Sequence, residues 1–352
     1  MSLSIVLAAV LVGATAVVNP LPGGPAADPF VTFDRETGYY YLIHSCCADD
    51  GFTADELRIR RSRSAADLRR GEAKLVYATN AADRVYGNIW APEMHKAPNG
   101  RWYVYTSCRP TPEPGDKRLI VFESRTSDPW DGFVFKGFPA PDLFAIDPTV
   151  TTWTNGCQYV CYSEVKSGKG QVLTIREMTS PWTFGPKSAE IACAERPWEL
   201  VPPYDKCKIA EGAFFVRSPD GKRLFIVYSA NGCWSDDYCL GVLEYVGGDI
   251  VSACAWKKHP KPLFTKGNGV YGPGHASFFR SPDGTETWCA YHSLERSDPE
   301  YRAMPRYMNL QKIGFDATGF PVMGKPVAHG EARPAPSGRA GPQDAHLIGC
   351  AQ

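Results

Sequence analysis

The chain has 352 residues, 43% of them hydrophobic, and its 38 Lys+Arg are balanced by 38 Asp+Glu. A net charge of zero leaves no basic field to attract nucleic acid or an anionic membrane, so a neutral polymer such as a hemicellulose fits better as a partner. The length suits one large repeat fold, and the 9 Trp, 17 Tyr and 17 Phe suit both β cores and stacking on sugar rings.

The first residues form a short apolar run that ends in Ala14-Thr15-Ala16. The run is too short to span a bilayer and closes on an A-x-A cleavage pattern, which predicts a signal peptide over residues 1–16 and a secreted, extracellular protein. A buried first strand is the alternative, and the prolines and glycines soon after Val17 favour the leader. Twelve cysteines, an even number, suit an exported chain with disulfides. Cys233 and Cys239 flank a Trp-Ser-Asp-Asp-Tyr loop and suit a local bridge. The adjacent Cys46 and Cys47 suit a vicinal disulfide or two separate partners. No Cys or His spacing matches a zinc site.

Helical periodicity is nearly absent beyond this point, and short runs of Val, Ile, Tyr, Phe and Trp alternate with turn residues. Five segments share one plan: a polar residue, a short apolar strand, a turn with glycine, and a second aromatic strand ending in Ser. They open at Asp28, Glu93, Asp147, Glu211 and His275, and their turn glycines are Gly38, Gly100, Gly156, Gly221 and Gly284. The openings are 65, 54, 64 and 64 residues apart, enough for a four-stranded propeller blade with its loops. The predicted fold is therefore all-β, a five-bladed β-propeller over 17–330. A Pro-, Gly- and Ala-rich tail over 331–352 is expected to pack on or near it.

In a propeller the first strand of each blade lines the axis. Asp28, Glu93, Asp147, Glu211 and His275 are then expected to converge at one end. Burying titratable groups unpaired is costly, so such a ring around a pocket points to acid–base chemistry. Taken singly, each has a blander role: Asp28-Pro29 and Asp147-Pro148 are turn-forming pairs, and a lone His is more often a core residue. The shared register gives them weight together. A G-x-G-x-x-G match at Gly267–Gly272 runs into Pro273-Gly274 rather than a helix, which excludes a dinucleotide site. No G-x-S-x-G, H-E-x-x-H or phosphate-binding loop motif occurs.

Ala27-Asp28-Pro29-Phe30, Ile89-Trp90-Ala91-Pro92-Glu93, Ile146-Asp147-Pro148, Ala210-Glu211-Gly212 and Gly272-Pro273-Gly274-His275 appear in this order. With the stretch from Arg302 to Asp316, this ordered set resembles glycoside hydrolase family 43 over about residues 19 to 330. The resemblance implies an inverting glycosidase with Asp28 as general base, Glu211 as general acid and Asp147 orienting Glu211 and modulating its pKa. It further implies Trp90 as a stacking wall, Arg306 as a hydrogen-bonding partner of sugar hydroxyls, and His275 shaping the pocket floor. No cofactor is required, and the resemblance places an optional calcium or sodium ion near His275. The first motif, Cys46-Cys47 and the Trp-Ala-Pro-Glu-Met segment resemble the exo-acting α-1,5-L-arabinofuranosidases of that family. This implies a monomer acting on arabinan, arabinoxylan or pentose oligosaccharides. The same residues would serve a β-xylosidase or an endo-arabinanase. A non-catalytic carbohydrate-binding propeller is the competing class, and it would not need the three carboxylates.

Overall fold

Each repeat forms a hairpin because two β-prone runs are joined by a glycine in a left-handed backbone. Gly38, Gly100, Gly156, Gly221 and Gly284 have φ between +68° and +83°. In the last four, the glycine N–H closes the turn on the carbonyl three residues earlier.

The computed structural model describes residues 16–45, 55–297 and 305–338. A short strand β1 (Ala16–Val18) precedes five antiparallel four-stranded sheets. Blade 1 holds β2 (Ala27–Asp34), β3 (Tyr39–Ser45), β4 (Glu56–Ser62) and β5 (Glu72–Ala78). Blade 2 holds β6 (Trp90–Lys96), β7 (Trp102–Cys108), β8 (Arg118–Ser124) and β9 (Phe133–Gly137). Blade 3 holds β10 (Ile146–Thr152), β11 (Gln158–Lys166), β12 (Gly170–Ser180) and β13 (Thr183–Cys193). Blade 4 holds β14 (Ala210–Arg217), β15 (Leu224–Ala230), β16 (Cys239–Tyr245) and β17 (Trp256–Lys258). Blade 5 holds β18 (Tyr271–Arg280), β19 (Thr287–Leu294), β20 (Arg306–Phe315) and β21 (Pro321–Val322), and β22 (Ala332–Pro334) pairs with β1. The strands of every blade pair in chain order, and the first strand of each packs against the first strand of the next. The chain is thus a five-bladed β-propeller.

Since no blade borrows a strand from another, the ring is closed by a strap and by side chains. Residues 19–26 run beside β20: Leu21 and Ala26 donate to the carbonyls of Met308 and Arg306, each at 2.8 Å. The Asn19 side chain accepts from the Leu310 N–H and donates to its carbonyl. At the seam of blades 5 and 1, buried Ser277 donates to the Pro29 carbonyl at 2.8 Å and accepts from the Val31 N–H at 3.1 Å.

Hydrophobic faces fill the spaces between blades, and aromatic rings reach the axis. The Phe30 ring lies 6.1 Å from Phe214 and 5.2 Å from His95, and Phe214 lies 5.7 Å from Phe278. Phe30 of blade 1 and Phe214 of blade 4 belong to blades that are not neighbours, so these rings meet across the axis.

Residues 1–15 of the expected signal peptide lie outside the described residues, as do Cys46, Cys47 and Cys350. In the tail, Ser337 hydrogen-bonds Asp283 and Glu286. The expected Cys233–Cys239 bridge is not formed, and all nine described cysteines are free thiols. The strand pleat turns Cys239 into the blade core with Ala210, Tyr228 and Ala230, whereas Cys233 belongs to the loop before it.

Ser277→Ala would leave a buried carbonyl and a buried N–H without their partner in the closing seam. Urea titration is expected to show stability lowered by about 2 kcal/mol, and an unchanged midpoint would show that the seam does not depend on this hydroxyl.

Candidate active site

The first strand of every blade slips register by one residue at the same place. The slips fall at Ala27/Phe30, Trp90/Glu93, Ile146/Thr149, Glu211/Phe214 and Gly274/Ser277. Such a bulge re-aims the side chains next to it. At each bulge one residue adopts a left-handed backbone: Asp28 (φ 52°), Ala91 (46°), Asp147 (55°), Gly212 (54°) and His275 (48°).

These five residues are the structural equivalents, and they correct the register drawn from the sequence. Asp28, Asp147 and His275 hold matching places, but Glu93 and Glu211 do not. Blade 2 places Ala91 in the ring. Glu93 sits two residues further along β6, where its carboxylate is 2.7 Å from His95 Nε2. Glu211 comes one residue before its bulge and shares its position with Trp90. Spacing in the sequence cannot reveal a bulge, because the extra residue is counted like any other.

A second ring holds the first in place. Ser45, Ser107, Ser163, Ser229 and His292 stand opposite Ala27, Trp90, Ile146, Glu211 and Gly274. Several of them reach across to the next blade. Ser45 Oγ accepts from the Ala91 N–H at 2.7 Å, Ser229 Oγ from the His275 N–H at 2.8 Å, and His292 Nδ1 from the Asp28 N–H at 3.1 Å. Ser163 donates to the Ala210 carbonyl at 2.9 Å, and the Gly212 N–H donates to Asp147 Oδ2 at 3.1 Å.

Asp28 is buried, and burial alone would raise its pKa. The opposing effect wins. Arg306 Nη1 donates to Oδ1 at 3.0 Å, His275 Nδ1 lies 3.3 Å from the same oxygen, and Ser45 donates to Oδ2 at 2.6 Å. Arg306 and the two histidines hold this carboxyl well below the usual range, so Asp28 is ionised. Asp147 and Glu211 are shifted the other way. Burial pushes both up, the Asp28 charge adds to each, and Glu211 adds further to Asp147. The hydroxyl of Tyr238 donates to Glu211 Oε1 at 3.0 Å. The pocket therefore presents an ionised carboxylate from blade 1 to carboxyls from blades 3 and 4 that hold a proton into the neutral range.

The remaining expected residues also gather here. Arg306 and His275 contact Asp28. Trp90 lies on the rim, 41% exposed, with Lys117 Nζ 3.1 Å from its ring centroid, so one face is covered. Among the described residues no three His, Cys, Asp or Glu side chains group to hold a metal ion, and His275 Nδ1 faces Asp28 beside Arg306.

Sequence reasoning missed Tyr238, His292 and Cys233, the last near enough for the Asp28, Asp147 and Glu211 charges to act on its thiol. The fifth repeat ends Tyr291-His292-Ser293 and His292 fills the ring position, whereas the first ends Ile43-His44-Ser45 and Ser45 fills it, so the His-Ser pair alone did not mark His292. Tyr238 comes from a loop and carried no signal.

Residues 17–321 match the profile of Glycosyl hydrolases family 43. The chain is 31% identical, over 89% of its length, to an extracellular exo-alpha-(1->5)-L-arabinofuranosidase of Streptomyces avermitilis, of which it covers 64%. It is 29% identical, over 86% of its length, to alpha-L-arabinofuranosidase B of Pyricularia oryzae, of which it covers 62%. The chain thus spans less than two thirds of the length of these two relatives. An extracellular exo-alpha-(1->5)-L-arabinofuranosidase of Streptomyces chartreusis is 30% identical over 76% of this chain and 80% of its own. The crystal structure of an alpha-L-arabinofuranosidase from Lactobacillus brevis superposes with a TM-score of 0.78 at 25% identity, covering 89% of this chain and 98% of that one. Among the described residues no helix is long and apolar enough to cross a membrane. With the ordered motifs, the five blades and the gathered carboxylates, these matches show that the chain belongs to glycosyl hydrolase family 43.

Proposed function

We propose that the protein is an inverting exo-α-L-arabinofuranosidase that releases L-arabinofuranose from α-1,5-linked arabinan or arabino-oligosaccharides, as a secreted monomer. The observation that carries this is the geometry of the pocket, in which Arg306 and His275 hold Asp28 while Glu211 accepts from the neutral Tyr238 hydroxyl, an arrangement that favours an ionised base and a protonated acid. The names of the Streptomyces relatives support the sugar and the linkage.

In this mechanism Glu211 gives its proton to the glycosidic oxygen as the bond to the anomeric carbon breaks. Asp28 takes a proton from the water that attacks the opposite face, so the configuration inverts. Asp147 orients the acid through the Gly212 N–H, one residue from Glu211. Burial and the Asp28 charge push both carboxyls up, and once Asp147 ionises its charge favours keeping the proton on Glu211. The uncovered face of Trp90 forms the stacking wall, and Arg306 and His275 meet the sugar hydroxyls beside the base. The aromatic rings that meet across the axis favour a pocket that takes the end of a chain over a groove open at both sides. The two side chains supply the acid and the base, and no step is assigned to a cofactor.

Linear α-1,5-arabino-oligosaccharides are expected to yield arabinose from the first turnover, with the β-anomer seen first by proton NMR. Longer oligomers as first products would make the protein an endo-arabinanase, and release from xylo-oligosaccharides alone would make it a xylosidase. Glu211→Gln is expected to lower kcat/KM on arabinobiose by about 10² or more. Full activity in this variant would reject the acid assignment, and retained sugar binding with no turnover in the parent protein would indicate a binding propeller. The pH profile of kcat/KM is expected to be bell-shaped. Its acid limb, set by Asp28, should lie below the ordinary Asp value of about 3.9. Its alkaline limb, set by Glu211, should lie well above the ordinary Glu value of about 4.3. Asp147→Asn removes the carboxyl whose ionisation would oppose that of Glu211 and should move the alkaline limb to lower pH, whereas an unmoved limb would reject the modulating role.

A further inference from the structure

Tyr238 stands apart from the catalytic carboxylates in sequence, yet it touches the group proposed as the acid. It is fully buried, and its hydroxyl donates to Glu211 Oε1 at 3.0 Å. This bond is made where water is excluded, which strengthens it. Nearby, Ser229 Oγ accepts from the His275 N–H at 2.8 Å, and Ser229 favours the ionised form of the Tyr238 hydroxyl.

The ring that carries the hydroxyl is held on both sides. It lies parallel to His292, with centroids 5.3 Å apart and planes 1° from parallel, while His292 Nδ1 accepts from the Asp28 N–H. Gly274 admits the ring on another side, since a Cβ there would lie 2.3 Å from Tyr238 Cδ1 and Cε1.

We propose that Tyr238 is the positioning residue of the general acid: by donating to Oε1 it makes that oxygen an acceptor and leaves Oε2 to carry the transferable proton. This rests on Glu211 being the acid. As Glu211 gives up its proton, the carboxyl becomes a carboxylate and the Tyr238 bond becomes charge-assisted, so it strengthens on the way to the transition state. The stacked pair of Tyr238 and His292 also bridges the surroundings of the acid and the base, fixing one relative to the other.

Tyr238→Phe keeps the stacked ring and removes only the donor. Two substrates separate a positioning role from a structural one, because a nitrophenolate leaves without a proton and a sugar alkoxide does not. Turnover of arabinobiose is expected to fall by about 10- to 100-fold, and that of a 4-nitrophenyl arabinofuranoside by less than about threefold. The alkaline limb should move to higher pH, since the lost donor favoured the ionised acid. Equal losses on both substrates with an unmoved limb would overturn the proposal, as would no loss at all. Glu211→Gln, run in parallel, keeps the two readings distinct. If it too fails to discriminate by leaving group, the acid assignment falls; if it discriminates and Tyr238→Phe does not, only the role of Tyr238 falls. Ser229→Ala removes the hydroxyl beside Tyr238 and should shift both readouts in the same direction by less, which carries the test if Tyr238→Phe does not fold.

Discussion

The inner rim depends on a hydrogen bond passed from blade to blade. A left-handed backbone costs a residue with a side chain roughly 1–2 kcal/mol, and Asp and His tolerate it better than Ala. Two of the five bulge residues are Asp and one is Gly. The other two, Ala91 and His275, have their N–H groups held by Ser45 and Ser229 of the preceding blade. Asp28 is held in the same way by His292 and Gly212 by Asp147. The conformation that turns the side chains toward the pocket therefore exists only while the neighbouring blade is in place.

Once the rim is set, the division of labour between similar side chains follows from where positive charge was placed. Arg306, from the third strand of blade 5, reaches Asp28 and holds its negative charge. Glu211 is equally buried, but the hydrogen bond resolved on it comes from a neutral hydroxyl, and the negative Asp28 acts on it as well. Two carboxyl groups in one pocket are pushed apart in acidity by environment alone, which a hydrolase needs if it is to hold an acid and a base at one pH.

Much of this was legible in the sequence. The five turn glycines marked the hairpins, and Asp28, Asp147, Glu211 and His275 were identifiable as neighbours because repeats bring matching positions together. The exact partner in each blade was not legible. A bulge moves a side chain by one residue without changing composition, so Glu93 passed for a ring member and the offset of Glu211 went unseen. Tyr238 could not be found either, since a loop between blade strands has no repeat to be compared with. The Cys233–Cys239 pairing failed for a related reason: six residues of separation say nothing about which way a strand's pleat turns its first side chain.

The strap over residues 19–26 has a consequence for how the protein comes into being. Asp28 emerges among the first residues of the propeller during synthesis, but Arg306 follows it by 278 positions and His292 by 264. Until the last blade has been made and docked, Asp28 has neither the cation that keeps it ionised nor the contact that fixes its backbone. A growing polypeptide therefore cannot complete this rim until nearly all of it has been translated, and a fragment without blade 1 or blade 5 would lack it however well its remaining blades fold.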